Sequence, residues 1–134
     1  MIILLAAAAL AIQPAATPSW RDWGVWDDGA VGTWDANSVG HDGDEARVWV
    51  QFDFSKTPPG TEPEHIRLSH VSIGCAAERV RVTYSISYDE AGTLVHIDDA
   101  PTDWAPIDPG SHFASLRSYV CGGAEGPARP SAPR

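Results

Sequence analysis

From Glu45 to Phe54 every second side chain is apolar. Val48, Val50, Phe52 and Phe54 share one parity, and Trp49, Gln51 and Asp53 the other. Successive side chains of a strand point to opposite faces, so this pattern predicts a half-buried β-strand. A second clean alternation runs from Arg79 to Tyr88. Val80, Val82, Tyr84, Ile86 and Tyr88 are expected inward, with Arg79, Arg81, Thr83, Ser85 and Ser87 outward. Between them, Glu64 to Cys75 keeps strand character but changes phase: Ile66 and Leu68 set one parity, and Val71, Ile73 and Cys75 the other. A β-bulge near Ser69 or His70 would reconcile the two. Ser55 to Pro63 contains Pro58, Pro59, Gly60 and Pro63 and predicts a loop, and Ala76 to Glu78 a short hairpin link.

Upstream, Trp20 to Asp27 reads as a strand that ends in the turn signal Asp27-Asp28-Gly29. Ala30 to Asp35 follows as its hairpin partner. Ala36 to Val39 suits a single helical turn, and His41-Asp42-Gly43-Asp44 a further turn. Downstream, Asp89 to Gly92 is a turn and Thr93 to Asp98 a last strand. Asp108-Pro109-Gly110-Ser111 then opens a helix, with Asp108 expected as the N-cap and Pro109 at the first helical position. Phe113, Leu116 and Val120 recur at helical spacing until Gly122-Gly123 ends the element. Strands come first and one helix last. The predicted fold class is therefore α+β: an antiparallel meander sheet of about six strands with one C-terminal helix packed on a face.

The chain begins with an uninterrupted apolar run at residues 2–12, followed by Gln13-Pro14-Ala15-Ala16. Helical residues rise about 1.5 Å each, so the run covers roughly 16 Å of a bilayer core about 30 Å thick. That is too short to span but suits a signal peptide over residues 1–16, although no Lys or Arg precedes it. Export places Cys75 and Cys121 in an oxidising compartment, periplasmic or extracellular, where two thiols point to a bridge rather than a redox pair. A Cys75–Cys121 bond would tie the end of the helix to the sheet. The remaining chain divides into one domain, 17–122, and a proline-rich tail, 123–134, read as disordered.

Formal net charge is −9, from 18 acidic and 9 basic residues, and all of these lie after residue 16. The balance disfavours nucleic acid and anionic lipid, which require Lys/Arg clusters, and favours a cationic partner at low ionic strength. No second long apolar stretch holds the mature chain in a membrane.

Candidate chemistry is sparse. His65 and His70, five apart on a strand, fall on opposite faces unless a bulge intervenes. His96 and Asp98 share a face, but two ligands do not make a metal site. His41, Asp42 and Asp44 do not follow the calcium-loop spacing. There is no G-x-S-x-G elbow, and Ser111 and His112 are neighbours whose side chains diverge on a helix. Asp98, Asp99 and Asp103 cluster where a strand meets a loop and could pair for acid/base work, a third possible role, but a solvated turn accounts for them. No catalytic, metal or cofactor residue is assigned. The six tryptophans are the remaining feature. Trp20, Trp23 and Trp26 recur at period three and cannot share one face of a strand. Trp49 lies opposite the Val48/Val50 face. These four form the candidate contact surface, since exposed aromatics enrich binding surfaces.

Several short motifs recur in a recognisable order. Trp23 precedes Asp27-Asp28-Gly29, Trp34-Asp35 leads to Ser38, and Val48-Trp49-Val50 precedes a strand ending in Cys75. Arg79-Val80-Arg81 then runs to Tyr84 and Tyr88. Trp104-Ala105-Pro106-Ile107-Asp108-Pro109-Gly110-Ser111 precedes a helix ending in Cys121. Over roughly residues 20–122 the chain resembles the surface-adhesin protein E-like domain of Proteobacteria. The resemblance implies an antiparallel sheet packed by a C-terminal helix, a bonded cysteine pair and a non-enzymatic role. The family's named member binds host proteins such as vitronectin, laminin and plasminogen. Two features depart from it: no lipobox cysteine follows the apolar run, and Lys56 is the single lysine. The expected function is an exported protein-binding module, with a homodimer as one form of contact. The alternative is a periplasmic inhibitor of a cationic enzyme such as lysozyme, which the acidic balance suits.

Overall fold

The computed structural model describes residues 17–58 and 64–122. The expected signal segment 1–16, the tail 123–134 and part of the proline-containing loop lie outside the described residues. Within them the chain forms β1 (Trp20–Val25), β2 (Val31–Asp35), a single 3-10 turn (Ala36–Ser38), β3 (Gly40–Asp42), β4 (Glu45–Asp53), β5 (Ile66–Gly74), β6 (Arg79–Tyr88), β7 (Leu94–Asp98), β8 (Ala105–Pro106) and α1 (His112–Cys121). All strand pairs are antiparallel, in the order β1-β2-β4-β5-β6-β7. The two extra strands share edges already in use. β2 lies along Val50–Asp53 and β3 along Glu45–Arg47 of the same side of β4, and β7 and β8 divide one side of β6. Eight strands thus occupy a sheet six positions wide, as the meander predicts.

Three expectations need correction. His41 and Asp42 are not turn residues but part of β3; the turn is centred on Gly43, whose φ of +63° suits a residue without Cβ. Ser111, not Asp108, caps α1: its hydroxyl accepts from the N–H of Ala114 at 3.2 Å. Asp108 instead begins a turn closed by Ser111 N–H on its carbonyl, with Pro109 second and Gly110 third at φ +82°. That left-handed residue requires glycine and bars a helix from starting before it.

The third correction concerns faces. Along β6, Tyr84 pairs with His70 and Val82 with Val71, so Thr83 has no partner. The bulged residue sits on β6 rather than on β5. Val80 and Val82 pair with Ile73 and Val71 on the helix side. Beyond Thr83 the parity reverses: Ser85 and Ser87 turn to the helix side, and Tyr84, Ile86 and Tyr88 to the other. Ile66 and Leu68 stay on that second face, opposite Val71 and Ile73. The sequence alternation is real, but one unpaired residue gives its two halves to different faces.

α1 covers one end of the helix side. Leu116 and Val120 are buried against Ala46, Val48, Val50, Val71, Ile73 and Ile107. Tyr119 stacks on Trp34 with ring centroids 5.3 Å apart. Arg117 Nε donates to the carbonyl of Cys75 at 2.8 Å, and Cys75 is disulfide-bonded to Cys121 across 46 positions. A ring nitrogen of His41 meets the carbonyl of Val120 at 2.8 Å, so β3 also holds the end of the helix.

Candidate functional site

The structure separates the four candidate tryptophans. A register shift in β1 leaves Trp23 without a cross-strand partner and turns it into the core, where it is 6% exposed. Its ring packs on Trp26, Phe52 and Phe113 at 4.9, 5.5 and 5.1 Å, and its Nε1 donates to the carbonyl of His112 at 2.7 Å. Trp26 is half-buried in the same cluster, its ring 4.1 Å from that of His112. A Cβ at Gly32 would come within 2.6 Å of the Trp26 ring and 3.0 Å of Trp23, so this cluster needs glycine there. Trp23 is therefore a packing residue. Trp20, 40% exposed, and Trp49 remain accessible.

Trp49 is at the centre of the face that α1 leaves uncovered. It lies opposite His70 with ring centroids 5.0 Å apart, and Tyr84 meets it edge-on at 6.0 Å. The bulge at Thr83 adds Ile86 and Tyr88 to this face, beside Leu68 and Ile66. The apolar surface continues to β7, where Leu94 and Ile97 are 48% and 47% exposed. At the other end Trp104 packs over the guanidinium groups of Arg79 and Arg81, at 4.4 and 4.7 Å. Burial, and secondarily the charge of Arg47, lowers the pKa of His70, so the imidazole in this patch is neutral near pH 7. The result is a broad half-buried apolar and aromatic face on a thin domain. Among the described residues β7 also leaves one strand edge unpaired.

A different surface lies on the helix side, beyond the first turn of α1. The bulge sends polar residues there in two cross-strand rows: Arg67, Ser87 and His96 in one, Ser69, Ser85 and Asp98 in the next. They floor a cleft of about 490 Å³ whose walls include Phe52, Val71, Val82 and Phe113, with Ala100 and Thr102 at its side. Glu64 closes one end. Its carboxylate accepts from Ser87 Oγ at 2.8 Å and from Arg67, whose guanidinium also lies over the rings of Phe54 and Phe52 at 5.0 and 5.8 Å. Burial alone would raise the pKa of Glu64. The hydrogen bonds from Arg67 and Ser87, with the charges of Arg67 and His96, outweigh it and lower the pKa. Ser69 and Ser85 share a hydrogen bond of 2.8 Å between hydroxyls.

The sequence places His96 and Asp98 on a common face, and they do meet in this cleft. It gives no sign of Glu64, Arg67 or Ser87, which the register of three strands brings to them. Asp99 and Asp103 are exposed and lie outside the cleft lining. His41, Asp42 and Asp44 serve the scaffold: the Asp44 carboxylate accepts from Ala76 N–H at 2.9 Å. Among the described residues no group of three or more His, Cys, Asp or Glu could hold a metal ion, and no helix is long and apolar enough to cross a membrane.

The sequence model of one protein family, described as surface-adhesin protein E, matches residues 20–122, from the first residue of β1 to the residue that follows α1. No curated protein and no solved structure matches the chain.

Proposed function

The chain belongs to the surface-adhesin protein E family, and on that premise we propose that it is an exported, non-enzymatic module that works by binding another protein through the uncovered face of its sheet. The observation that carries this reading is the apolar surface around Trp49, Tyr84 and Ile86, which one bulged residue assembles on the side away from α1. A domain that needed those side chains for its own core would place them under the helix. Large aromatic groups that stay half-exposed supply contact area at low entropic cost. β7 adds an unpaired edge beside the same face, through which a second copy of the chain, or another extended segment, can align. Trp20 and Trp49 belong to this surface; Trp23 and Trp26 pack on the other side of the sheet, against Phe113 and His112. Export through a signal peptide at 1–16 and a domain at 17–122 complete the reading.

A second reading rests on the net charge of −9: inhibition of a cationic exported enzyme, such as lysozyme. Salt separates the two. Apolar contact through the sheet survives at high ionic strength, whereas an acidic surface steering a basic enzyme loses its hold there. Lysozyme turnover with added protein, at low and high salt, tests the second reading; no inhibition at low salt removes it.

A further inference from the structure

We propose that the cleft between β5, β6, β7 and the start of α1 is a binding site for a neutral saccharide, separate from the protein-contact face on the other side of the sheet. The argument begins with unused hydrogen-bonding capacity. Ser69 and Ser85 spend one hydroxyl proton on each other, which leaves a second proton and spare lone pairs at the floor. Among the described residues Asp98 accepts one bond, from Ala100 N–H at 3.1 Å, although a carboxylate has room for about four. The ring of His96 makes none with its described neighbours, and it can donate from one nitrogen and accept at the other. Donors and acceptors thus alternate across about two rows of the sheet, as a ligand rich in hydroxyl groups requires, each hydroxyl being both.

The walls carry the second half of the argument. Phe52, Phe113, Val71 and Val82 give the cleft apolar sides. A pyranose presents just such a combination, with hydroxyl groups at its rim and C–H groups on its faces. The volume of about 490 Å³ lies in the range of small-ligand clefts, roughly 300–1,000 Å³.

Charge narrows the choice further. Arg67 is committed to Glu64 and to the rings of Phe52 and Phe54, so its charge is largely neutralised. Asp98 remains, which disfavours a phosphate or carboxylate ligand. A cation could use Asp98 and the hydroxyl lone pairs, but it would leave the serine and histidine protons of the same space without an acceptor. A wholly apolar ligand would strip water from these polar groups and leave them without partners, which is unfavourable.

The test uses the oxidised full chain and ligand-observed NMR, followed by calorimetry. The probes are methyl glucoside, methyl galactoside, N-acetylglucosamine and its β-1,4-linked dimer, with choline chloride and inorganic phosphate as the cationic and anionic comparisons. Saturable binding of at least one sugar is expected, weakened tenfold or more by Ala100→Trp, which fills the cleft from an exposed loop, and by Asp98→Ala. Trp49→Ala, on the opposite face, is expected to leave sugar binding unchanged, which keeps this proposal distinguishable from protein binding. The proposal is overturned if none of the sugars binds, if choline or phosphate binds in their place, or if Ala100→Trp binds sugar as well as the parent chain.

Discussion

The hydroxyl of Thr83 donates to the carbonyl of His70 at 3.1 Å and also lies 3.0 Å from His70 Nδ1. These contacts anchor the one residue of β6 that has no partner on β5. Both proposed binding surfaces depend on that irregularity, because it sends Tyr84, Ile86 and Tyr88 to the bare face and Ser85 and Ser87 to the cleft.

Removing the hydroxyl with Thr83→Val keeps the strand-forming shape and is expected to cost about 0.5–1.5 kcal/mol, the net worth of a typical hydrogen bond. Deleting Thr83 altogether joins Val82 to Tyr84, which already pair with the adjacent Val71 and His70, so the variant is expected to fold with a regular ladder and the same faces. Only a Thr83 that was itself paired in the ladder would turn Tyr84, Ile86 and Tyr88 toward the helix side and Ser85 and Ser87 away. Urea titrations of both variants, followed by tryptophan fluorescence, check the difference. A deletion variant that no longer folds would contradict this register.

Cys75→Ser with Cys121→Ser frees the end of α1 from β5. Loop-closure entropy for a separation of 46 residues gives an expected loss of about 4 kcal/mol. That is a large share of the roughly 5–15 kcal/mol available to a domain. The urea midpoint of the oxidised parent should therefore fall steeply on adding reductant, and that of the double variant should not respond to reductant at all.

Leu116 is fully buried between the helix and β4–β5. Leu116→Ala is expected to destabilise by about 2–5 kcal/mol. Phe113→Ala sits at the less buried end of α1, against Trp23, and is expected to cost less. The ordering of the two midpoints tests whether the core is centred on the C-terminal half of the helix.

Acid should weaken the fold in two steps. His70 has a lowered pKa in the folded protein, so the unfolded chain takes up that proton first as pH falls below about 6.5. Glu64 is lowered as well, and the same loss recurs as pH falls through about 4.3 toward its native value. Both contributions are fully present above the unfolded values, and neither produces a loss on the alkaline side. Glu64→Gln should flatten the lower step and His70→Asn the upper one, measured as urea midpoints between pH 3 and 8.

Much of this architecture is legible in the sequence. The alternations in β4 and in the first half of β6, the turn at Asp27-Asp28-Gly29 and the repeat of Leu116 and Val120 in α1 each follow from local periodicity. The bulge does not. Val80 to Tyr88 alternates perfectly, and only pairing with β5 shows that Thr83 stands alone. The start of α1 was obscured because Asp108-Pro109 carries the chemistry of a cap, while the backbone of Gly110 decides against it. The cleft is least legible of all. Glu64 precedes β5, Ser87 is the last but one residue of β6 and His96 lies on β7; each is an ordinary polar residue in its own segment, and only strand register places them together.

The most direct test of the protein-contact reading is saturable binding of the oxidised chain to an extract of the producing cell's envelope, compared with Trp49→Asp and Ile86→Asp at 0.15 M and 1 M salt. Circular dichroism would first establish that both variants keep the parent's fold. Saturable binding by the parent that persists at 1 M salt and is lost in both variants is the expected result. No saturable binding, or equal binding by folded variants, would contradict a role for the bare face of the sheet.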